Sequence, residues 1–129
     1  MTLFMLKVMN PLFICYPKCS TCGKAAEWLR QHDIAFDLRD IVLQNPTESE
    51  LQEWIARSGL PVSRFFNTSG LRYRALGLKD RVKTTLREEL VRLLATDGML
   101  VKRPLLVLPD RVLVGFREPE WDAVLLNRR

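Results

Sequence analysis

The chain has 129 residues, 47% of them apolar, which suits one globular domain able to bury a real core. Its 20 lysines and arginines against 15 acids give a net charge of +5, but the charges are interspersed and form no basic tail with interleaved aromatics. That argues against direct nucleic-acid binding and for an anionic substrate or an acidic partner surface.

The opening Met1–Met9 is apolar, but Lys7 interrupts it and no small-residue cleavage site follows, so it reads as no signal peptide. The first strand is expected only near Pro11, which leaves these residues frayed or upstream of a start at Met5 or Met9. No uninterrupted apolar stretch approaches the ~20 residues that cross a bilayer, so no membrane partner is expected. Leu12–Tyr16 is an apolar, aromatic and β-branched run ended by Pro17, a buried strand. Ser20 or Thr21 is a candidate cap for a helix to about Gln31, with Cys22, Ala25, Ala26 and Leu29 on one face. Residues 34–39 alternate apolar and polar and read as a second strand, closing a parallel βαβ unit.

Thr47 and Glu50 form a capping box, and Leu51, Trp54, Ile55 and Ser58 continue at helical spacing to a stop at Gly59. Residues 65–70 turn the chain into a short helical piece ending near Gly77. Thr85 and Glu88 repeat the box pattern before a helix that runs through Leu94 and stops at Asp97-Gly98. Residues from about 46 to 97 are thus read as a helical insertion packed on the sheet. Residues 105–108 and 112–116 flank Pro109-Asp110-Arg111 as an antiparallel hairpin. Glu118-Pro119 then starts a final helix with proline in its favoured first turn. The order is β-α-β, helices, β-β-α within a single α/β domain.

The three cysteines, Cys15, Cys19 and Cys22, cluster within eight positions, which argues for local chemistry in the reducing cytoplasm and against a stapled secreted domain. Cys19 falls at the strand-to-helix turn, where unpaired backbone N–H groups and the helix dipole favour a thiolate, and it is the expected nucleophile. Cys22, one turn on, is placed to resolve a mixed disulfide or sulfenic acid into a Cys19–Cys22 disulfide that leaves Cys15 free. Lys18 and Lys24 add positive charge nearby. Zinc is the competing chemistry, with Cys15, Cys19, Cys22 and His32 as nominal ligands. It fares poorly, because Cys15 lies inside a strand and His32 sits on the order of 15 Å from the helix start. Cys15 alone reads as a core residue and His32 as a water-facing helix end. No bound cofactor or metal is expected.

The stretches 16–25 around Cys19-Ser-Thr-Cys22, Lys102-Arg-Pro-Leu-Leu106 and Leu113-Val-Gly-Phe116 together resemble the arsenate reductase (ArsC), Spx and MgsR family. A fourth stretch, residues 65–74 followed by Leu76-Gly-Leu-Lys79, looks most like the uncharacterised ArsC-like members. The resemblance implies a thioredoxin-like fold with a helical insertion, and a cis Pro104 beside the active-site sulfur. In glutaredoxin-linked arsenate reductases the counterpart of Cys19 attacks arsenate while three arginines hold its oxygens. Arg103 matches one of these; Asn67 stands at the first, and the third falls near Gly115, with Arg117 close by. The resemblance therefore implies Cys19, Cys22 and Arg103 as the catalytic set, and Lys18, Ser20, Thr21, Asn67 and Pro104 as substrate-binding. A dianion left without two bidentate partners is poorly compensated, so arsenate turnover is expected to be weak. The leading expectation is a thiol-disulfide oxidoreductase acting on a small oxyanion or disulfide, with glutathione/glutaredoxin or thioredoxin as electron donor. The alternative is a redox-sensing regulator of the Spx kind that binds the RNA polymerase α subunit.

Overall fold

The computed structural model describes residues 10–126; the readings of Met1–Met9 lie outside the described residues. Strand β1 (Leu12–Cys15) leads into helix α1 (Ser20–Gln31), followed by β2 (Asp37–Asp40). Next come α2 (Glu48–Ser58), a 3-10 turn (Val62–Phe65), the short helices α3 (Leu71–Ala75) and α4 (Leu78–Arg81), and α5 (Arg87–Thr96). A second 3-10 turn (Gly98–Leu100) precedes β3 (Leu105–Val107), β4 (Val112–Val114) and α6 (Glu118–Leu125). The four strands form one sheet in the order β2-β1-β3-β4. β1 and β2 run parallel, with Leu12 opposite Asp37, whereas β1–β3 and β3–β4 are antiparallel. This is the β-α-β, helices, β-β-α order that the sequence predicts.

Alternation along the central strands sorts side chains into two cores, because successive residues of a strand face opposite sides. Phe13, Leu106 and Leu113 meet Ala25, Trp28 and Leu29 of α1 and Trp121 of α6 on one face. Ile14, Leu105, Val112 and Val114 meet Leu51, Trp54, Ile55, Leu90 and Leu94 of the insertion on the other. The insertion is therefore one layer of a three-layer molecule, packed on the sheet as expected. Trp121 is fully buried, stands edge-on to Phe116 at 4.9 Å between ring centres, and donates its indole N–H to the Gly115 carbonyl at 3.1 Å.

Local signals hold in part. The capping box at α2 is complete: the Glu50 amide donates to Thr47 Oγ1 at 3.1 Å, and the Thr47 amide donates to Glu50 Oε1 at 3.0 Å. Gly59 stops that helix in the left-handed region at φ 71°. The second box does not form. Thr85 spends its hydroxyl on the Arg81 carbonyl of α4 at 2.6 Å, and α5 begins at Arg87 with Leu86 at the N-cap, where it offers no side-chain bond. The cap of α1 also differs from expectation: Cys19 itself is the N-cap, in extended conformation without a side-chain cap bond, and Ser20 is already helical. β2 starts three residues later than predicted, because the Ile34 amide still closes the end of α1 on the Leu29 carbonyl at 3.0 Å.

Candidate functional site

The Tyr16–Cys19 turn brings the chain from the sheet to the start of α1. The Cys19 amide donates to the Tyr16 carbonyl at 2.9 Å, and the Cys19 carbonyl accepts from Gly23 at 3.1 Å, which fixes this residue at the helix mouth. Cys19 is half-buried, whereas Cys15 and Cys22 are buried, and all three are free thiols. The Tyr16 amide donates to Cys22 Sγ at 3.3 Å, so this sulfur is turned inward over the end of β1. Cys22 and Cys15 also share a hydrogen bond. That bond, helped by burial, pushes the Cys22 thiol far up, and the same bond holds Cys15 below its ordinary value. Cys15, read from sequence as a core residue only, is therefore a polar partner of Cys22 as well.

Cys19 opens onto a cleft of about 640 Å³ walled by the Ser63–Leu71 segment, by Lys102 and Arg103, and by residues 114–117. The cleft exists because the insertion is pinned to the chain that leads into β3. Phe66 bridges Val101, the Lys102 amide donates to the Phe65 carbonyl at 2.8 Å, and the Asn67 amide donates to the Leu100 carbonyl at 2.8 Å. Arg103 donates from Nη1 to the Met99 carbonyl at 3.3 Å, and its guanidinium carbon lies 5.3 Å from the centre of the Tyr16 ring. The Arg103–Pro104 peptide is cis, and the Pro104 carbonyl accepts from the Gly115 amide at 2.8 Å. Gly115, at φ 76°, carries the Lys102 side chain across its open face, where a Cβ would lie 3.2 Å from Lys102 Cε.

Of the sequence candidates, Cys19, Thr21, Asn67 and Arg103 line this cleft. Cys22 lies beneath Cys19 in the core, and Pro104 is buried. Ser20 faces a separate groove beside Lys24 and Trp28, and Lys18 is exposed on the turn outside the cleft wall. The sequence reading did not single out Arg64 and Lys102, and it attached Arg117 only loosely. All three share the wall with Arg103, and none of the four cations forms an ion pair with a described residue. Among the described residues, no acidic side chain lines the cleft. An exposed arginine is ordinary on any surface. Only the adjacency of Lys102 to the Arg103-Pro104 motif offered a sequence signal. His32 takes no part: its ring stacks on Trp28 at 4.3 Å and its Nδ1 lies 2.9 Å from the Trp28 carbonyl. Among the described residues no group of three or more His, Cys, Asp or Glu is arranged to hold a metal ion.

The model of the ArsC family matches residues 15–124. The chain belongs to the ArsC family. Among its ArsC-related relatives, YusI of Bacillus subtilis (strain 168) is 43% identical over 114 residues, covering 88% of this chain and 97% of YusI. The regulatory protein MgsR of the same organism is 28% identical over 108 residues, 84% of either chain. The crystal structure of an ArsC family related protein from Bacteroides fragilis superposes with a TM-score of 0.87 at 52% identity, covering 90% of this chain and 99% of that one. The four-stranded sheet with its six helices is thus the thioredoxin-like fold of ArsC proteins.

Proposed function

We propose that this protein is a thiol-dependent reductase of anionic substrates. Cys19 is the nucleophile, Cys22 the resolving thiol, and Arg103 with Arg64, Lys102 and Arg117 the anion-holding wall. The observation that carries this reading is the placement of the most exposed thiol at a cleft lined, among the described residues, by four cations and no acid. Such a wall attracts an anion and favours the thiolate that attacks it. The cleft lies in the volume range of sites for larger organic ligands. A tetrahedral oxyanion fills only a small part of that space, so the preferred substrate is a disulfide bearing carboxylates, and arsenate is a poor one. Electrons come from glutathione/glutaredoxin or from thioredoxin.

The test is an NADPH-coupled assay with each donor system against arsenate, an anionic disulfide and a neutral disulfide. Turnover is expected with the anionic disulfide, and its loss in Cys19→Ser is expected too. Robust arsenate turnover without disulfide turnover would overturn the substrate assignment. The similarity to MgsR favours a second reading, a redox-sensitive partner of the RNA polymerase α subunit. A pull-down with the carboxy-terminal domain of that polymerase α chain, expected to be negative, decides between the two.

A further inference from the structure

Cys15 and Cys22 lie in one buried cluster with Phe13, Ala25 and Leu106, and Cys19 packs on the margin of that cluster. The Tyr16 amide that donates to Cys22 Sγ at 3.3 Å is the peptide nitrogen directly after Cys15. That nitrogen is about 2.4 Å from the Cys15 Cα, which keeps the Cys22 sulfur within about 6 Å of it. Cys22 thus stands between two thiols, one at the cleft and one at the end of β1. We propose that Cys15 is a third redox thiol: the disulfide first closed between Cys19 and Cys22 passes to Cys15 and Cys22, which frees Cys19 again. This rests on the reading of Cys19 as the nucleophile.

In the first step the Cys19 thiolate attacks one sulfur of a disulfide substrate, forming a mixed disulfide and expelling the other half as a thiolate. Cys22 then gives its proton to solvent and attacks the Cys19 sulfur; the Cys19–Cys22 bond forms and the second half leaves as a thiolate. The substrate has gained two electrons and the protein has lost two. In the third step the Cys15 thiolate attacks the Cys22 sulfur. The Cys15–Cys22 bond forms, and the Cys19–Cys22 bond breaks with its electron pair on Cys19. This exchange is redox-neutral and needs no other reagent. Cys19 departs at the start of α1, where helix N–H groups stabilise an anion, and takes up the proton that Cys15 releases. The reverse exchange returns the bond to Cys19 and so to an external dithiol.

Trypsin separates the players, because cleavage after Lys18 puts Cys15 on one peptide and Cys19 with Cys22 on the next, Cys19–Lys24. The full chain is oxidised with diamide, quenched in acid, capped with N-ethylmaleimide and digested. The expected product joins the two peptides through Cys15–Cys22 with the maleimide on Cys19, and Cys15→Ser instead closes Cys19–Cys22 within its peptide. Cys19→Ser, which removes the thiol that starts the transfer, is expected to form the joined pair far more slowly under the same diamide exposure. A wild-type product closed as Cys19–Cys22 with maleimide on Cys15, or a Cys15–Cys19 bridge, would overturn the transfer while leaving Cys19 as nucleophile. Absence of any intramolecular disulfide would overturn both.

Discussion

Arg103 is held before any ligand arrives, by the Met99 carbonyl on one side and the Tyr16 ring on the other. A guanidinium so placed offers a fixed planar fork, whereas lysine offers one mobile point charge. Charge-assisted bonds of this kind contribute ~1.5–3 kcal/mol. Arg103→Lys is therefore expected to raise KM for an anionic disulfide roughly ten- to a hundredfold. Its melting temperature should stay near wild type, and the defect should deepen with ionic strength as the remaining cations are screened. Steady-state kinetics at low and high salt check this; an unchanged KM would remove Arg103 from the anion wall. The same residue shows what the sequence made legible. Arg103 was singled out by the family resemblance carried on Lys102-Arg-Pro-Leu-Leu106, and Cys19 by Cys22 three residues on, because each motif is contiguous. Arg64, Lys102 and Arg117 become neighbours only after the insertion docks, and no local spacing encodes that docking.

The junction of β2 with α2 depends on one carboxylate serving two masters. Glu50 completes the capping box with Thr47, and both its oxygens also receive Arg39, at 2.7 Å from Nη1 and 2.8 Å from Nη2. Arg39 further donates from Nε to the Gln44 carbonyl at 2.9 Å, so strand, turn and helix share one polar knot. Thr47→Ala removes one cap bond and should cost about 1 kcal/mol. Glu50→Gln should cost more near neutral pH, since Arg39 is left without its counter-ion even though the glutamine oxygen can still accept from the Thr47 amide. The Arg39 hydrogen bond holds the Glu50 carboxyl below its ordinary value of 4.5. Its stabilisation is therefore fully present above that pH and is lost as pH falls through the lower folded-state value. Urea midpoints of wild type and Glu50→Gln should converge in acid; a constant gap would mean that the charge is irrelevant. Both residues of this box were legible because Arg39 shares Glu50 without displacing its bond from the Thr47 amide. Thr85 failed as a cap because the Arg81 carbonyl, four residues back, claims its hydroxyl first. Leu38 obeys strand alternation but sits on the edge strand, where it is left 64% exposed.

At the scale of the molecule, the insertion leaves the sheet just after β2 and returns just before β3, and its two ends touch. A Cβ at Gly98 would lie 2.1 Å from the Ile41 carbonyl oxygen, and Asn45 Nδ2 donates to the Ala95 carbonyl at 2.6 Å. Because the obstacle is backbone, it cannot rotate away. Gly98→Ala should cost about 1–3 kcal/mol, the usual penalty of overpacking, and lower the melting temperature by roughly 4–12 °C. Gly23, inside α1 with nothing within 4 Å of an added Cβ, supplies the opposite sign: Gly23→Ala should stabilise by about 0.5–1 kcal/mol. Thermal denaturation of the pair checks both, and a neutral Gly98→Ala would show that the two ends are not clamped. Neither effect was legible in sequence, where both glycines stand as bare single letters; the β-α-β and hairpin patterns were legible because each is local. The cleft, finally, is a seam between layers. Cys19 comes from the start of α1, Arg64 and Asn67 come from the insertion opposite, and Lys102, Arg103 and residues 114–117 come from the chain that leads into β3 and out of β4 between them. The two halves of the proposed site are thus separable: substitutions within residues 63–71 are expected to change which anion is preferred while leaving the cysteines of β1 and α1 untouched.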